Sequence, residues 1–155
     1  MDVLLQAFAE MPDKHLVIAG TGTQFEEYKA IATDNVEFAG FLNRENLATV
    51  THKAKAVIVP SQWYETFGMI IAEAYAEHTP VIVGDIGNIA SLVDEGITGI
   101  KFKYDSSESL RDAVEEFENL DSAKMGEEAY NKYRREFAPD GNYQMLKAIY
   151  DSVKE

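Results

Sequence analysis

The sequence predicts an α/β fold: a doubly wound, Rossmann-like parallel sheet with flanking helices, closed by an all-helical C-terminal segment. Three observations carry this. Short β-branched runs alternate with helical runs through the first two-thirds of the chain. Each apolar run is bounded by Gly, Pro, Asn or Ser, as buried strands are. From Ser106 onward only helical patterns remain. The 155 residues suit one domain, and a chain of that size buries roughly two-thirds of its unfolded surface. Residues 1–155 are therefore taken as a single domain, with 106–155 as a helical tail packed on it.

The elements follow in order. "MDVLLQAFAEMP" reads as a helix with Val3, Leu4, Ala7 and Phe8 on one face. A doubly wound domain normally opens on a strand, so this opening helix is out of place. "HLVIAG", "NVEFAGF", "KAVIVPS" and "PVIVGD" are strands, and "GIKFK" is a weaker one. Between them lie the helical stretches "QFEEYKAIA", "RENLATVTHKA", "FGMIIAEAYAEH" and "IASLVDEG". Strand, helix, strand in repetition gives parallel pairing through right-handed crossovers. "SSESLRDAVEEFENL" places Leu110, Val114 and Phe117 at helical spacing behind a Ser start. "SAKMGEEAYNKYRREF" and "NYQMLKAIYDSVKE" are two further helices, separated by Pro139–Asp140–Gly141.

Composition narrows the function classes. The net charge is −13, which disfavours nucleic acid and anionic membrane surfaces, since both need clustered Lys and Arg. An acidic chain still binds phosphate through backbone N–H groups at a helix start. The absence of Cys excludes disulfides, thiolate metal sites and thiol nucleophiles, and fits a reducing, cytoplasmic setting. No apolar run approaches the roughly 18–20 residues of a membrane span. His15, His52 and His78 are too scattered for a metal site, and no metal is expected.

The stretch "YETFGMIIAEAY" concentrates the candidate chemistry. Glu65 and Glu73 are separated by seven residues. The helix is expected to begin around Thr66 to Phe67, with Gly68 in its first turn. The N–H groups of Phe67, Gly68, Met69 and Ile70 would then be free to meet a diphosphate. Glu65 lies just before the helix and Glu73 about two turns in, a spacing that suits two hydroxyl-bearing ends of one long ligand. In the competing reading, Glu65 compensates the helix dipole and Glu73 is solvated. Against it stand the apolar neighbours of Glu73, beside which a charge is costly, and the position at a strand's carboxyl end. Gly20 and Gly22 of "GTGT" either admit a nucleotide or form a tight turn. In "VGDIGNIASLVDEGITG", Asn88 is expected to cap a helix starting at Ile89, and Gly96 and Gly99 to serve as helix-end and turn glycines. Trp63 and Tyr64 either line a cleft or cover a core. Tyr130, Tyr133, Phe137 and Tyr150 read as helix packing.

The stretch "PSQWYETFGMIIAEAYAEHTPVIVGDIGNIASLVDEGITGIKF" resembles the carboxyl-terminal half of retaining GT-B glycosyltransferases of the large family-four group. "HLVIAGTG", "NVEFAGFL" and the closing helices extend the likeness over nearly the whole chain. The resemblance implies metal-independent transfer of a sugar from a nucleotide-diphosphate donor, with retention of configuration and no cofactor. It implies that Glu65 contacts donor-sugar hydroxyls and Glu73 the ribose hydroxyls. The amides of Phe67 to Ile70 meet the diphosphate, Gly20 and Gly22 lie near the nucleotide, and Phe41 and Leu42 lie near the base.

The departures set further expectations. The family's strand before the first helix, its Arg and Lys, and the whole amino-terminal domain have no counterpart here, so the chain alone is not expected to be catalytic. Ser91 stands at the usual Glu, and His78 where Gly is common. In a 3-2-1-4-5-6 sheet the absent strand is the central one, leaving "LVIAG" and "AVIVP" beside a gap. Unpaired central edges are costly and sticky. The two strands are expected to pair directly, or a partner segment to fill the place, or the fold to depart from the family's. The alternative function is a non-catalytic assembly or regulatory module that self-associates through such edges. A weaker one is a related GT-B nucleotide-sugar epimerase.

Overall fold

The computed structural model describes residues 1–153. It contains five strands: β1 (Leu16–Ala19), β2 (Val36–Gly40), β3 (Val57–Val59), β4 (Val81–Gly84) and β5 (Gly99–Phe102). Helix α1 (Asp2–Ala9) precedes β1, and α2 (Phe25–Ile31) and α3 (Arg44–Lys53) flank β2. Helices α4 (Met69–Ala76) and α5 (Gly87–Ser91) flank β4. After β5 come α6 (Ser107–Glu118), α7 (Ser122–Lys132), a π-helical turn (Tyr133–Phe137) and α8 (Pro139–Ser152). The last two positions of the predicted closing helix, 154 and 155, lie outside the described residues.

All strand pairing is parallel, and it falls into two sheets, β1–β2 and β3–β4–β5. Strand β4 is buried along its whole length, as a central strand covered on both faces must be. One apolar layer joins Leu4 and Phe8 of α1 and Leu110 and Phe117 of α6 to residues of both sheets, among them Leu16, Val36, Ile82 and Ile100. A second layer on the other face of β4 packs Ile71 and Tyr75 of α4, Ile89 of α5 and Ala129 of α7 against Val81 and Val83. Helices therefore cover both faces, and the doubly wound α/β expectation holds. Among the described residues no hydrogen bond joins β1 to β3. Direct closure of the gap, one of the expected outcomes, does not occur.

Local chemistry explains several boundaries. The side-chain amide of Asn35, just before β2, donates to the carbonyls of Phe8 (3.0 Å), Met11 (3.0 Å) and Lys14 (2.9 Å). These contacts tie the start of β2 to the end of α1 and the turn beyond it, where the Phe8 and Met11 carbonyls also accept from the Met11 and Lys14 N–H groups. Ser106 caps α6 through its Oγ, which accepts from the Ser109 N–H at 3.1 Å. Leu110, Val114 and Phe117 are buried as their spacing predicts.

Three expectations are corrected here. Pro139, Asp140 and Gly141 do not separate two helices but open α8, because Pro fits a first helical position whose N–H is not needed. The break is made instead by the π-helical turn and Ala138. Gly99 is not a turn residue but the first of β5, where a Cβ would collide with the carbonyl of Val81. Tyr150 does not pack: α8 leans on the π-helical turn and buries none of its residues. Tyr130 and Tyr133 do stack, and Phe137 packs on Tyr75.

Candidate functional site

Strand β3 ends at Val59 and Pro60, and the chain turns into a loop over residues 61–66 before α4. Ser61 opens this loop, and its Oγ donates a short hydrogen bond to Oε1 of Glu65. That bond holds the Glu65 carboxylate back against the strand end. Trp63 and Tyr64 are 81% and 83% exposed, so they cover no core.

Helix α4 begins at Met69, later than the sequence predicts. Gly68 is its N-cap, with φ +74°, a left-handed conformation that cannot continue a right-handed helix backwards. A Cβ on Gly68 would stand 2.9 Å from Cγ2 of Ile89, so the position is closed to a side chain on both counts. Among the described residues, no intramolecular hydrogen bond uses the N–H groups of Phe67, Gly68, Met69 or Ile70. The first N–H taken is that of Ile71, which donates to the Gly68 carbonyl at 2.9 Å. Tyr64, Glu65, Thr66, Phe67, Gly68 and Met69 line a pocket of about 460 Å³ at this junction. Three of these free donors, at Phe67, Gly68 and Met69, and the positive end of a helix thus meet one tethered carboxylate. Such a place can hold a negatively charged group beside a hydroxyl-bearing one.

Glu73 lies just past the first turn of α4, not two turns in, because the helix starts late. It is exposed, while Ile71, Ala72, Ala74 and Tyr75 take the buried face. The expected cost of a charge among apolar neighbours therefore does not arise: those neighbours point elsewhere.

The Gly-rich loop after β4 clasps this site. Gly87 has φ +57°, and a Cβ there would stand 2.7 Å from Cδ1 of Tyr64. Asn88 does not cap a helix at Ile89. It lies inside α5, and its Nδ2 donates to the Thr66 carbonyl at 3.0 Å. This link between α5 and the loop before α4 was invisible to sequence reasoning, since nothing local to Asn88 signals a partner 22 positions away. The Ser91 hydroxyl donates back along its own helix to the Asn88 carbonyl at 2.7 Å.

The remaining predicted residues stand at the other sheet. The Gly20 N–H donates to the Gly40 carbonyl at 2.7 Å and ties the ends of β1 and β2 together. Phe41, next in the chain, is 79% exposed, and Leu42 is half-buried. Glu65, Phe67, Gly68 and Met69 are brought into one pocket; Gly20, Gly22, Phe41, Leu42, Ile70 and Glu73 are not among its lining residues. A smaller hollow of about 350 Å³, lined by Ala48, Thr49, His52, Lys53 and Glu77, lies between α3 and the end of α4. It is away from the carboxyl ends of the strands, where open parallel sheets take their ligands. Among the described residues no helix is long and apolar enough to cross a membrane.

Comparison with known proteins agrees with this architecture. An uncharacterized glycosyltransferase of Methanocaldococcus jannaschii is 32% identical, over 64% of this chain and 27% of its own length. A D-inositol 3-phosphate glycosyltransferase of Mycobacterium avium is 35% identical, over 63% of this chain and 25% of its own. The chain thus spans about a quarter of the curated relatives it matches. Among solved structures, sucrose-phosphate synthase from Thermosynechococcus elongatus superposes with a TM-score of 0.82 at 23% identity, over 98% of this chain and 41% of that one. The Anabaena protein HepE, solved in complex with UDP, superposes with a TM-score of 0.81 at 20% identity, over 97% and 45%. The model of the family described as Glycosyl transferases group 1 matches residues 1–134, and the chain belongs to that family.

Proposed function

We propose that this chain is the donor-binding part of a retaining, metal-independent glycosyltransferase, which moves a sugar from a nucleotide-diphosphate donor to an acceptor. One observation carries the reading: the free N–H groups of Phe67, Gly68 and Met69 belong to residues lining a pocket that also holds the tethered Glu65. The amides and the helix dipole stabilise the diphosphate, on which negative charge grows as the bond to the sugar breaks. Glu65 accepts hydrogen bonds from sugar hydroxyls, oriented for that by Ser61. Glu73, further along the exposed side of α4, accepts from the ribose hydroxyls. The base then extends toward Gly20, Gly22, Phe41 and Leu42 at the carboxyl ends of β1 and β2. The acceptor and the groups that complete the transfer belong to the part of such enzymes that this chain does not span. A cytoplasmic setting suits both a nucleotide-sugar donor and a chain without cysteine.

UDP and UDP-sugars are the first donors to test, since similar structures of HepE contain UDP and UDP-glucose. Calorimetric titration should show binding of the diphosphate. Glu73→Ala should weaken UDP and UDP-sugar alike by about 10- to 100-fold, the loss of hydrogen bonds to a charged acceptor. Glu65→Ala should weaken only the sugar conjugates. A folded chain that binds no nucleoside diphosphate would sink the reading.

A further inference from the structure

We infer that Asn88 is a positioning residue for the diphosphate, acting through the peptide that joins Thr66 to Phe67. The inference rests on the donor-binding reading and adds one working residue to that site. Asn88 Nδ2 donates to the Thr66 carbonyl at 3.0 Å. Among the described residues no other hydrogen bond uses that carbonyl. The Thr66–Phe67 peptide is trans, like every peptide of the described residues. A trans peptide is planar, and its C=O and N–H point in opposite directions. Holding the carbonyl toward Asn88 therefore aims the Phe67 N–H away from it. That N–H is one of the free donors on residues lining the pocket. A hydrogen bond accepted at the carbonyl also polarises the peptide and strengthens the donor at its other end.

Asn88 is itself held. The Ser91 hydroxyl that donates to its carbonyl also lies 3.3 Å from its Oδ1 and donates there. The acceptor end of the amide is thus taken by Ser91, and the donor end is left for Thr66. The loop and α5 meet at two further points, in the same order along both segments. A Cβ on Gly87 would stand 2.7 Å from Cδ1 of Tyr64, and one on Gly68 2.9 Å from Cγ2 of Ile89. Tyr64, Thr66 and Gly68 therefore meet Gly87, Asn88 and Ile89 in turn, with the hydrogen bond between two close packing contacts. Those packing contacts set how near the two segments lie. They do not set which way the peptide between them faces, since it can turn on the soft dihedrals at its two ends. Thr66 is exposed, so burial does not fix it either. The Phe67 ring meets Phe137 edge-on at 6.3 Å, which anchors the side chain rather than the peptide before it. The Asn88 hydrogen bond supplies the missing direction.

NMR titration of the full chain with UDP tests this, on the parent and on Asn88→Leu, which keeps the size of the side chain without a donor. Asn88 is exposed within α5 and leucine is the stronger helix former, so the fold is kept. Asn88→Leu should bind UDP about 3- to 10-fold more weakly, the share of one hydrogen bond. At saturation the Phe67 amide proton should lose most of the downfield shift that UDP gives it in the parent, while those of Gly68 and Met69 keep theirs. A parent that binds no UDP refutes the donor-binding reading, and this proposal with it. Where the parent binds UDP, three results overturn the proposal alone: equal affinity in Asn88→Leu; no shift at Phe67 in the parent; or an equal loss of shift at all three amides, which marks a general disturbance of the loop and not the aim of one peptide.

Discussion

Replacing Gly68 by alanine probes the residue on which the candidate site turns. Two separable costs act there. The backbone sits at φ +74°, a left-handed conformation that costs an L-residue about 1–2 kcal/mol. The new Cβ would also lie 2.9 Å from Ile89 Cγ2 and 3.3 Å from Leu92 Cδ1. Both atoms belong to or border the packed α5 segment, so yielding requires a shift of the core, worth about 1–3 kcal/mol. Together the substitution should cost about 2–5 kcal/mol. With a urea m-value of about 2 kcal/mol per M, the unfolding midpoint falls by about 1–2.5 M. Gly96 supplies the control: its φ is +70°, but a Cβ there meets nothing within 4 Å. Gly96→Ala should therefore cost only the backbone share, about 1–2 kcal/mol. Equal midpoints for the two variants would refute the steric half of the reasoning. A Gly68→Ala variant as stable as the parent would refute both halves.

Other expectations follow from the same geometry. Asn88→Ala removes the donor to the Thr66 carbonyl; it should cost about 1 kcal/mol and speed hydrogen exchange at Ile71, whose N–H bonds the Gly68 carbonyl, while leaving β4 amides unchanged. His78 is the one non-Gly residue with positive φ among the described residues, at 57°, held by a stack on Tyr130 and a hydrogen bond to Glu127. His78→Gly should therefore be more stable than His78→Ala by about 1 kcal/mol in urea unfolding, since both lose the contacts and only alanine keeps the strain. Hydrogen bonds from Lys14 hold the carboxyls of Asp13 and Glu118 below the ordinary range. A depressed carboxyl contributes stability above its unfolded value and loses it as pH falls through the folded one. The gap in unfolding free energy between the parent and Lys14→Met should thus be full above about pH 4.5 and shrink below it, as read by urea melts across pH.

The strands and most helices were legible in the sequence because each is set by a local period. "LVIA", "VEFAG", "VIV", "VIVG" and "GIKF" are β-branched or apolar runs that hold together wherever they pack. The grouping of Glu65, Phe67, Gly68 and Met69 was legible for the same reason: they are neighbours in the chain, so any turn there gathers them. Their surroundings were not legible. The late start of α4 goes with the left-handed backbone at Gly68, where Ile89 and Leu92, from another part of the chain, leave no room for a side chain. The exposure of Glu73 depends on which side of α4 meets β4 and α7, and its neighbours in sequence carried no sign of that.

By itself the sequence determined the alternation of strand and helix, the run of helices after Ser106 and the stretch where the site residues cluster, because short-range sterics and hydrophobic period decide these. Tertiary structure alone decided that the strands form two unjoined sheets, that Asn88 serves Thr66 rather than its own helix, and that Tyr150 faces solvent. Each of these turns on partners far apart in the chain, whose meeting is set by the sum of all contacts and not by any local preference.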